Sequence, residues 1–512
     1  MTRVTVAALG VWALLLSAAS AQPMQQDEGG TDAPPAESVI SPRTVASALA
    51  QLEREAALQT TAPQTAWAAE GRACPGCPKR SVAKALIQTT VINGLYELAN
   101  LARGQVTAEI TPETWWENMQ QGWVWDLDDF TVNQVGHPYQ GSNYFDAGRA
   151  NGLSFYESAA VAAFGSSTWE YFGETNHPSI NDFINTTLGG IALGEMLHRT
   201  AWLVRSPRTT GMKRFWNEFG AMAIDPVTGL NRIVLSHEGL RPYEKPPDMM
   251  PSSMSAVVAA GGLWRGTQTS AFESNGEMFL EADAIYGNPD EGRSRTPYDA
   301  FAVRGRFGGG SSFSEARVRG RLMAQPFAGG KGRFSVLQSY DYQKNDAYAT
   351  GSQSIEATVG TTKRFGDRTS LYLLGWGGLT VLAAIDSLPL GVEEVPVEEE
   401  EPESDAGQGV SEGPRFYDYG PGTTFGFTGR LSRGHLLAVF FYEGRHVYSL
   451  DGVRANHLLQ RMRADLVVPV FGPWGIGVAG EYFDRRTYFQ DVDQTKKSYH
   501  YPQFRAFLTW SK

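Results

Sequence analysis

Apolar and polar positions follow two rhythms along this chain, and the change falls near residue 255. Upstream the spacing is helical. Residues 81–103 place Val82, Leu86, Val91, Leu95, Leu98 and Leu101 on one broad face and stop before Gly104, as an amphipathic helix with a glycine C-cap does. Asn93 and Asn100 lie on the same helix and also align. Thr111 and Pro112 read as the N-cap and first position of a second helix. Trp115, Trp116, Trp123 and Trp125 follow closely, a density that suits a membrane interface or a large packed contact. Further helices are predicted over residues 143–151, 154–165, 168–173 and 180–204. Ser167 with Glu170, and Ser179 with Asp182, have capping-box spacing.

Downstream the period is two. Arg317, Arg319 and Arg321 alternate with Ala316, Val318, Gly320 and Leu322, and Arg461, Arg463 and Asp465 alternate with Met462, Ala464 and Leu466. Roughly twelve such segments of about ten residues are present, the length that crosses a bilayer when tilted. Short connections near 365–368, 432–434 and 472–473 alternate with longer ones, the pattern of an outer-membrane barrel. The predicted fold class is α+β, an N-terminal helical domain over 81–250 followed by a roughly 12-stranded antiparallel transmembrane β-barrel over 251–512. Alternation then predicts a charged lumen, with Glu281 and Asp283 near Arg304, Arg306, Arg317, Arg319 or Arg321. The longest connection, 390–415, is acidic and is expected outside the cell. It reads as a solvated segment or, more sharply, as a loop that binds a divalent cation or a partner. The last strand, 501–510, looks like the C-terminal targeting strand of outer-membrane proteins, with Arg505 where a glycine is usual.

Composition adds the compartment. A charged start, an apolar run to Leu16 and Ala19-Ser20-Ala21 have the form of a cleaved signal peptide over 1–21. Residues 22–80 are rich in Gln, Ala, Pro and acids and read as a flexible leader, with one helix-like stretch over 42–58. Cys74 and Cys77, in CPGC, are the only cysteines and would form a local disulfide in an exported protein; a redox pair is the sharper alternative. The formal net charge of -11 argues against nucleic acid as a partner and leaves outer-membrane lipid. The 56 glycines, 13 tryptophans and 20 tyrosines suit a barrel with aromatic girdles.

Candidate chemistry concentrates in 130–205. Helix-length apolar runs there carry His137, Arg149, Glu170, Glu174, Asp182, Glu195 and Arg199, which is costly unless those groups pair or work. One reading is a structural polar network of Asn133, Arg149, Asn181, Glu195 and Arg199, with Glu195 and Arg199 in the favourable i,i+4 order and Arg149 neutralising Glu174. Another is acid/base catalysis by His137 with Glu170, Glu174 or Asp182. A metal site of His137, His177 and a Glu is the weakest, because H-E-x-x-H spacing is absent; neither metal nor cofactor is expected. His137, which precedes Pro138, is expected to be extended. P-loop, G-x-S-x-G and Rossmann signatures are also absent.

The stretch 125–205 resembles a bacterial envelope family known as domain of unknown function 3943. The resemblance rests on Asn133-Gln134, Gly136-His137-Pro138-Tyr139, Gly141-Ser142, Tyr144-Phe145, Arg149, Trp169-Glu170, Glu174, Pro178-Ser179, Asn181-Asp182, Gly189-Gly190, Gly194-Glu195 and Arg199. It implies no activity. His137, Glu170 or Glu174, Ser179, Asp182, Asn185 and Gly189 also form a pattern similar to VanZ-like membrane proteins. Three functions are compatible with these signals. The first is an outer-membrane envelope protein whose helical domain plugs or floors the barrel and supports lipid or small-molecule handling. The others are a membrane-interface enzyme acting on a lipid or glycolipid, and a passive pore or structural barrel.

Overall fold

The computed structural model describes residues 78–126, 130–235, 245–267, 276–289, 293–308, 313–366, 368–386, 417–490 and 496–512. The signal peptide, most of the leader, Cys74, Cys77 and the acidic segment 390–415 lie outside these described residues.

The period-two region closes into a barrel of twelve antiparallel strands, each paired with its sequence neighbours and the first with the last. In order these are β1 (Met254–Arg265), β2 (Glu277–Tyr286), β3 (Phe301–Gly308), β4 (Glu315–Phe327), β5 (Gly332–Lys344), β6 (Ala349–Phe365), β7 (Thr369–Asp386), β8 (Tyr417–Arg433), β9 (Leu436–Tyr448), β10 (Ala455–Phe471), β11 (Trp474–Phe489) and β12 (Lys497–Ser511). Turns at 328–331, 434–435 and 472–473 share one end, the turn end, with both barrel termini. Connections 266–276, 387–416 and 449–454 share the other, the loop end.

Ion pairs between non-neighbouring strands fix which face is inside. Arg461 on β10 donates to both carboxylate oxygens of Glu315 on β4, at 2.8 and 2.9 Å. Arg463 on β10 and Arg505 on β12 meet Glu281 on β2. Arg306 on β3 reaches Glu481 on β11, and Arg445 on β9 reaches Asp341 on β5. The charged lumen is as expected: Arg306 pairs with Glu281 and Arg304 with Asp283, while Arg317 and Arg319 turn to Glu443. Arg505 replaces the usual small residue because its side chain completes this network.

The helices are α1 (Val82–Ala102), α2 (Pro112–Gln121), α3 (His137–Ala150), α4 (Phe155–Phe172), α5 (Ile180–Ile184), α6 (Gly190–Val204), α7 (Gly211–Ile224) and α8 (Pro226–Leu230). Wide π turns, Val132–Gly136 and Asn185–Gly189, lead into α3 and join α5 to α6. Three boundaries differ from the sequence reading. Residues 154–172 form one capped helix, with Ser154 and Glu157 as its capping box; Ser167 bonds back to the Ala163 carbonyl instead of starting a new one. Residues 180–204 are interrupted by the π turn. His137 is helical, at φ -59° and ψ -46°, because the widened turn before it leaves room for the Pro138 ring.

The bundle of α1, α3, α4 and α5–α6 neither plugs nor floors the barrel, contrary to expectation. It packs on the outer wall. Val303, Val318 and Tyr340 form one cross-strand row, on the face opposite the charged one, and share a core with Tyr144, Phe145 and Ala192 of the bundle. Tyr340 Oη donates to the Gln134 carbonyl (2.7 Å) and Gln338 Nε2 to that of Leu188 (2.9 Å). The physical reason is that arginines and carboxylates already fill the lumen, whereas this sector of the outer wall offers aromatic surface to bury.

The four bundle segments run alternately along the wall. At the turn end Phe155 stacks on Tyr298, and Arg199 donates to Thr296 and the Pro297 carbonyl. At the loop end Trp125 stacks on Tyr419, and Asn133 donates to Tyr417 Oη. Glycines bring α3 and α6 together: a Cβ on Gly141 would collide with the Thr186 carbonyl, and one on Gly190 with the Gly141 backbone.

Candidate functional site

The buried polar groups divide into two clusters at opposite ends of the bundle. The loop-end cluster gathers His137, Glu170 and Asp182 with Asn133 and Asn181. Ser179 Oγ caps α5 by accepting from the Asp182 N–H, and the Ser179 N–H donates to Glu170 Oε2 at 2.7 Å. Asn181 Nδ2 donates to Asp182 Oδ1 (2.9 Å), and Asn181 Oδ1 accepts from the Asp126 N–H (2.8 Å). His137 Nε2 lies 3.6 Å from Asp182 Oδ1, and its Nδ1 lies 3.2 Å from Thr186 Oγ1. Tyr419 Oη accepts from Asn181 and Gln134, so the barrel rim is part of this cluster. Glu174 stands aside, holding the indole N–H of Trp169.

Arg149, Glu195 and Arg199 belong to the turn-end cluster instead. Arg149 pairs with Glu195 at 3.0 Å rather than with Glu174, and Arg199 pairs with the same carboxylate at 2.7 Å. His137, Arg149, Glu170, Glu174 and Asp182 thus form no single cluster, because Arg149 lies at the far end of α3 from His137.

Sequence reasoning missed the centre of this second cluster, Asp146, His198 and Asp225, whose ligand-type atoms converge within 4.8 Å. All three are buried. The signal that flagged Arg149 and Arg199, an ionisable group inside an apolar helix, applies equally to Asp146 and His198. Asp225 caps α8 through the Thr228 N–H and contacts His198 Nδ1 at 2.9 Å. Trp202 Nε1 donates to His198 Nε2, and an indole N–H can only donate. Nδ1 therefore carries the ring proton and donates it to Asp225. Both Asp146 oxygens are buried without a hydrogen-bond partner. Two carboxylates and an imidazole suit a divalent cation, yet here a cation would have to displace the Nδ1 proton. The weakest of the sequence readings, a metal site of His137 with His177 and a Glu, does not converge among the described residues.

Acid/base chemistry by His137 would need a cleft. His137, Glu170 and Asp182 are instead 6%, 4% and 4% exposed and held within the cluster. An apolar depression of about 490 Å³ lies elsewhere, along β7–β12 among Leu371, Gly429, Leu431, Phe440, Leu466 and Val478.

Residues 122–227, which span α3 to α7 and end at the start of α8, match the family described as domain of unknown function (DUF3943), as the resemblance anticipated. The chain is similar in structure to the NanC porin (6% identity, 50% of this chain and 99% of that chain, TM-score 0.27). It is also similar to OmpT, an outer membrane protein of Vibrio cholerae (8% identity, 51% of this chain and 97% of that one, TM-score 0.21), and to an anion-selective porin from Comamonas acidovorans (8%, 51% and 99%, TM-score 0.20). No curated protein matches.

Proposed function

We propose that the protein is a non-conducting outer-membrane protein, in which the barrel serves as a platform for the helical domain rather than as a solute pathway. One observation carries this reading: direct ion pairs join opposite walls of the lumen, from Arg461 to Glu315, Arg463 to Glu281 and Arg445 to Asp341. A lumen bridged by side chains in contact leaves no aqueous channel at that level, whereas a porin keeps its polar interior open. Even strand number, short turns at the end shared by both barrel termini, and outward apolar rows such as Ile476, Val478 and Leu508 support membrane insertion with the turn end towards the periplasm. The closed, paired state of His137, Glu170 and Asp182 favours a structural role for that cluster over catalysis.

The test is conductance. Purified protein reconstituted in planar bilayers should give no stable single-channel steps, and the mature chain should fractionate with outer membranes and require detergent for release. Regular wild-type channel openings would overturn the platform reading. Recovery of the mature chain from periplasm without detergent would overturn membrane insertion itself.

A further inference from the structure

The helical domain carries an inverted surface. On α1, Ile87, Val91, Leu95 and Leu98 are 65%, 55%, 58% and 61% exposed, while Ala85 and Thr89 are buried. A helix facing water buries its large apolar side chains; this one buries small and polar ones and presents a stripe of aliphatics. The inversion recurs on α7, where Met212, Phe215, Trp216 and Phe219 are exposed while Arg214 and Glu218 are buried. It recurs on α2, where Trp115, Trp116 and Met119 are exposed and Asn118 is buried. Three helices with the same inversion mark one solvent, and that solvent is apolar.

The placement of the bundle identifies it. The bundle is seated on the outward face of β2–β8, the same face that a transmembrane barrel turns to lipid, and it runs from the turn end to the loop end. Its length fits: the 21 residues of α1 span about 31 Å at 1.5 Å per residue, against a hydrocarbon core of about 30 Å. The aromatic residues fall at the two levels where a bilayer has its interfaces. Trp115 of α2 donates to the Phe172 carbonyl at the loop end of α4. The α7 aromatics follow the turn-end terminus of α6. Tryptophan-bearing amphipathic helices at both ends, with an aliphatic stripe between them, reproduce the two interfacial belts of a membrane protein. No described helix is long and apolar enough to cross a membrane alone. The polar groups that make them so are turned inward, into the two clusters and the seam with the wall.

We propose that the helical domain lies inside the outer-membrane bilayer alongside the barrel, with α1 against acyl chains and α2 and α7 at the two headgroup levels. This rests on the membrane-inserted reading of the barrel and adds that a sector of the barrel's lipid boundary is replaced by helices, which themselves face lipid.

Site-directed spin labelling of the full-length chain, with Cys74 and Cys77 changed to Ser, tests both layers separately. Nitroxides are placed at Val91→Cys on α1 and Val478→Cys on β11, in dimyristoylphosphatidylcholine vesicles. Both positions are exposed, so labelling does not disturb packing. The expected result is that each label collides with oxygen far more often than with a water-soluble nickel chelate. A lipid-like Val478 with a chelate-accessible Val91 would put the bundle in water and overturn the inference while leaving the barrel intact. A lipid-like Val478 with Val91 shielded from both reagents would mean that a protein, a second copy or another chain, covers α1, and would also overturn it. Chelate access at Val478 would overturn the barrel reading beneath it.

Discussion

Asp146 is the residue that the fold accommodates least well. It is buried beside a second carboxylate, with no hydrogen-bond partner for either oxygen. Such a group costs about 1–3 kcal/mol, so Asp146→Asn should raise the denaturation midpoint of the detergent-solubilised protein; a lowered midpoint would show that the carboxylate is compensated. Glu195 is the opposite case, since it neutralises Arg149 and Arg199 at once. Glu195→Ala should cost about 3–5 kcal/mol by stranding two buried cations, whereas Arg149→Met, which leaves Glu195 paired with Arg199, should cost clearly less. Equal losses in denaturant titrations would reject this division. Lys245, which donates to the Leu203 carbonyl at 3.2 Å, is pushed down to about 8 by burial and by Arg205. A base whose folded value lies below its free value of 10.5 stabilises the fold progressively as pH rises through that interval. Stability should therefore climb between about pH 8 and 10.5, and Lys245→Met should flatten that climb. At this scale the sequence was a fair guide to which residues were special and a poor guide to their partners. Glu195 and Arg199 could be paired from i,i+4 spacing, but Arg149 meets Glu195 across a helix crossing that no local spacing encodes.

Among the elements, the strands were the most legible, because period two and charge sign together specify which face turns inward. Helices were legible in position but not in boundary. Ser167 is followed by a glutamate at capping distance, yet α4 continues through it, since Trp169 and Glu170 are buried by packing that outweighs a local cap. The π turns were invisible, as their cause is tertiary: Asn185–Gly189 widens where α3 crosses. That crossing should be intolerant of bulk. Gly141→Val and Gly190→Val should each destabilise by about 1–3 kcal/mol or more through forced separation of α3 from α6, while Gly94→Val on α1, where a side chain meets nothing within 4 Å, should stay within about 1 kcal/mol. Thermal melts of the three variants would check the ranking.

For the whole molecule, the two-part organisation was readable and the relation between the parts was not. A sequence can announce a helical bundle and a barrel, but whether helices enter a barrel or lean on it depends on how completely the lumen fills itself. Here Arg505, an apparent misfit in a terminal strand, is one of the arginines that fill it. The wall contact has a consequence for how the barrel is completed. Cylinders of strands have one seam where the first and last elements meet, here β1 with β12 along nine paired positions from Val257 with Ser511 to Arg265 with Gln503. The helices shield a sector that begins at β2, and the core they share with the wall draws on no residue of β1 or β12. The zip line is left unobstructed, so a nascent sheet could carry its helical passenger already docked and still fasten its own edges last.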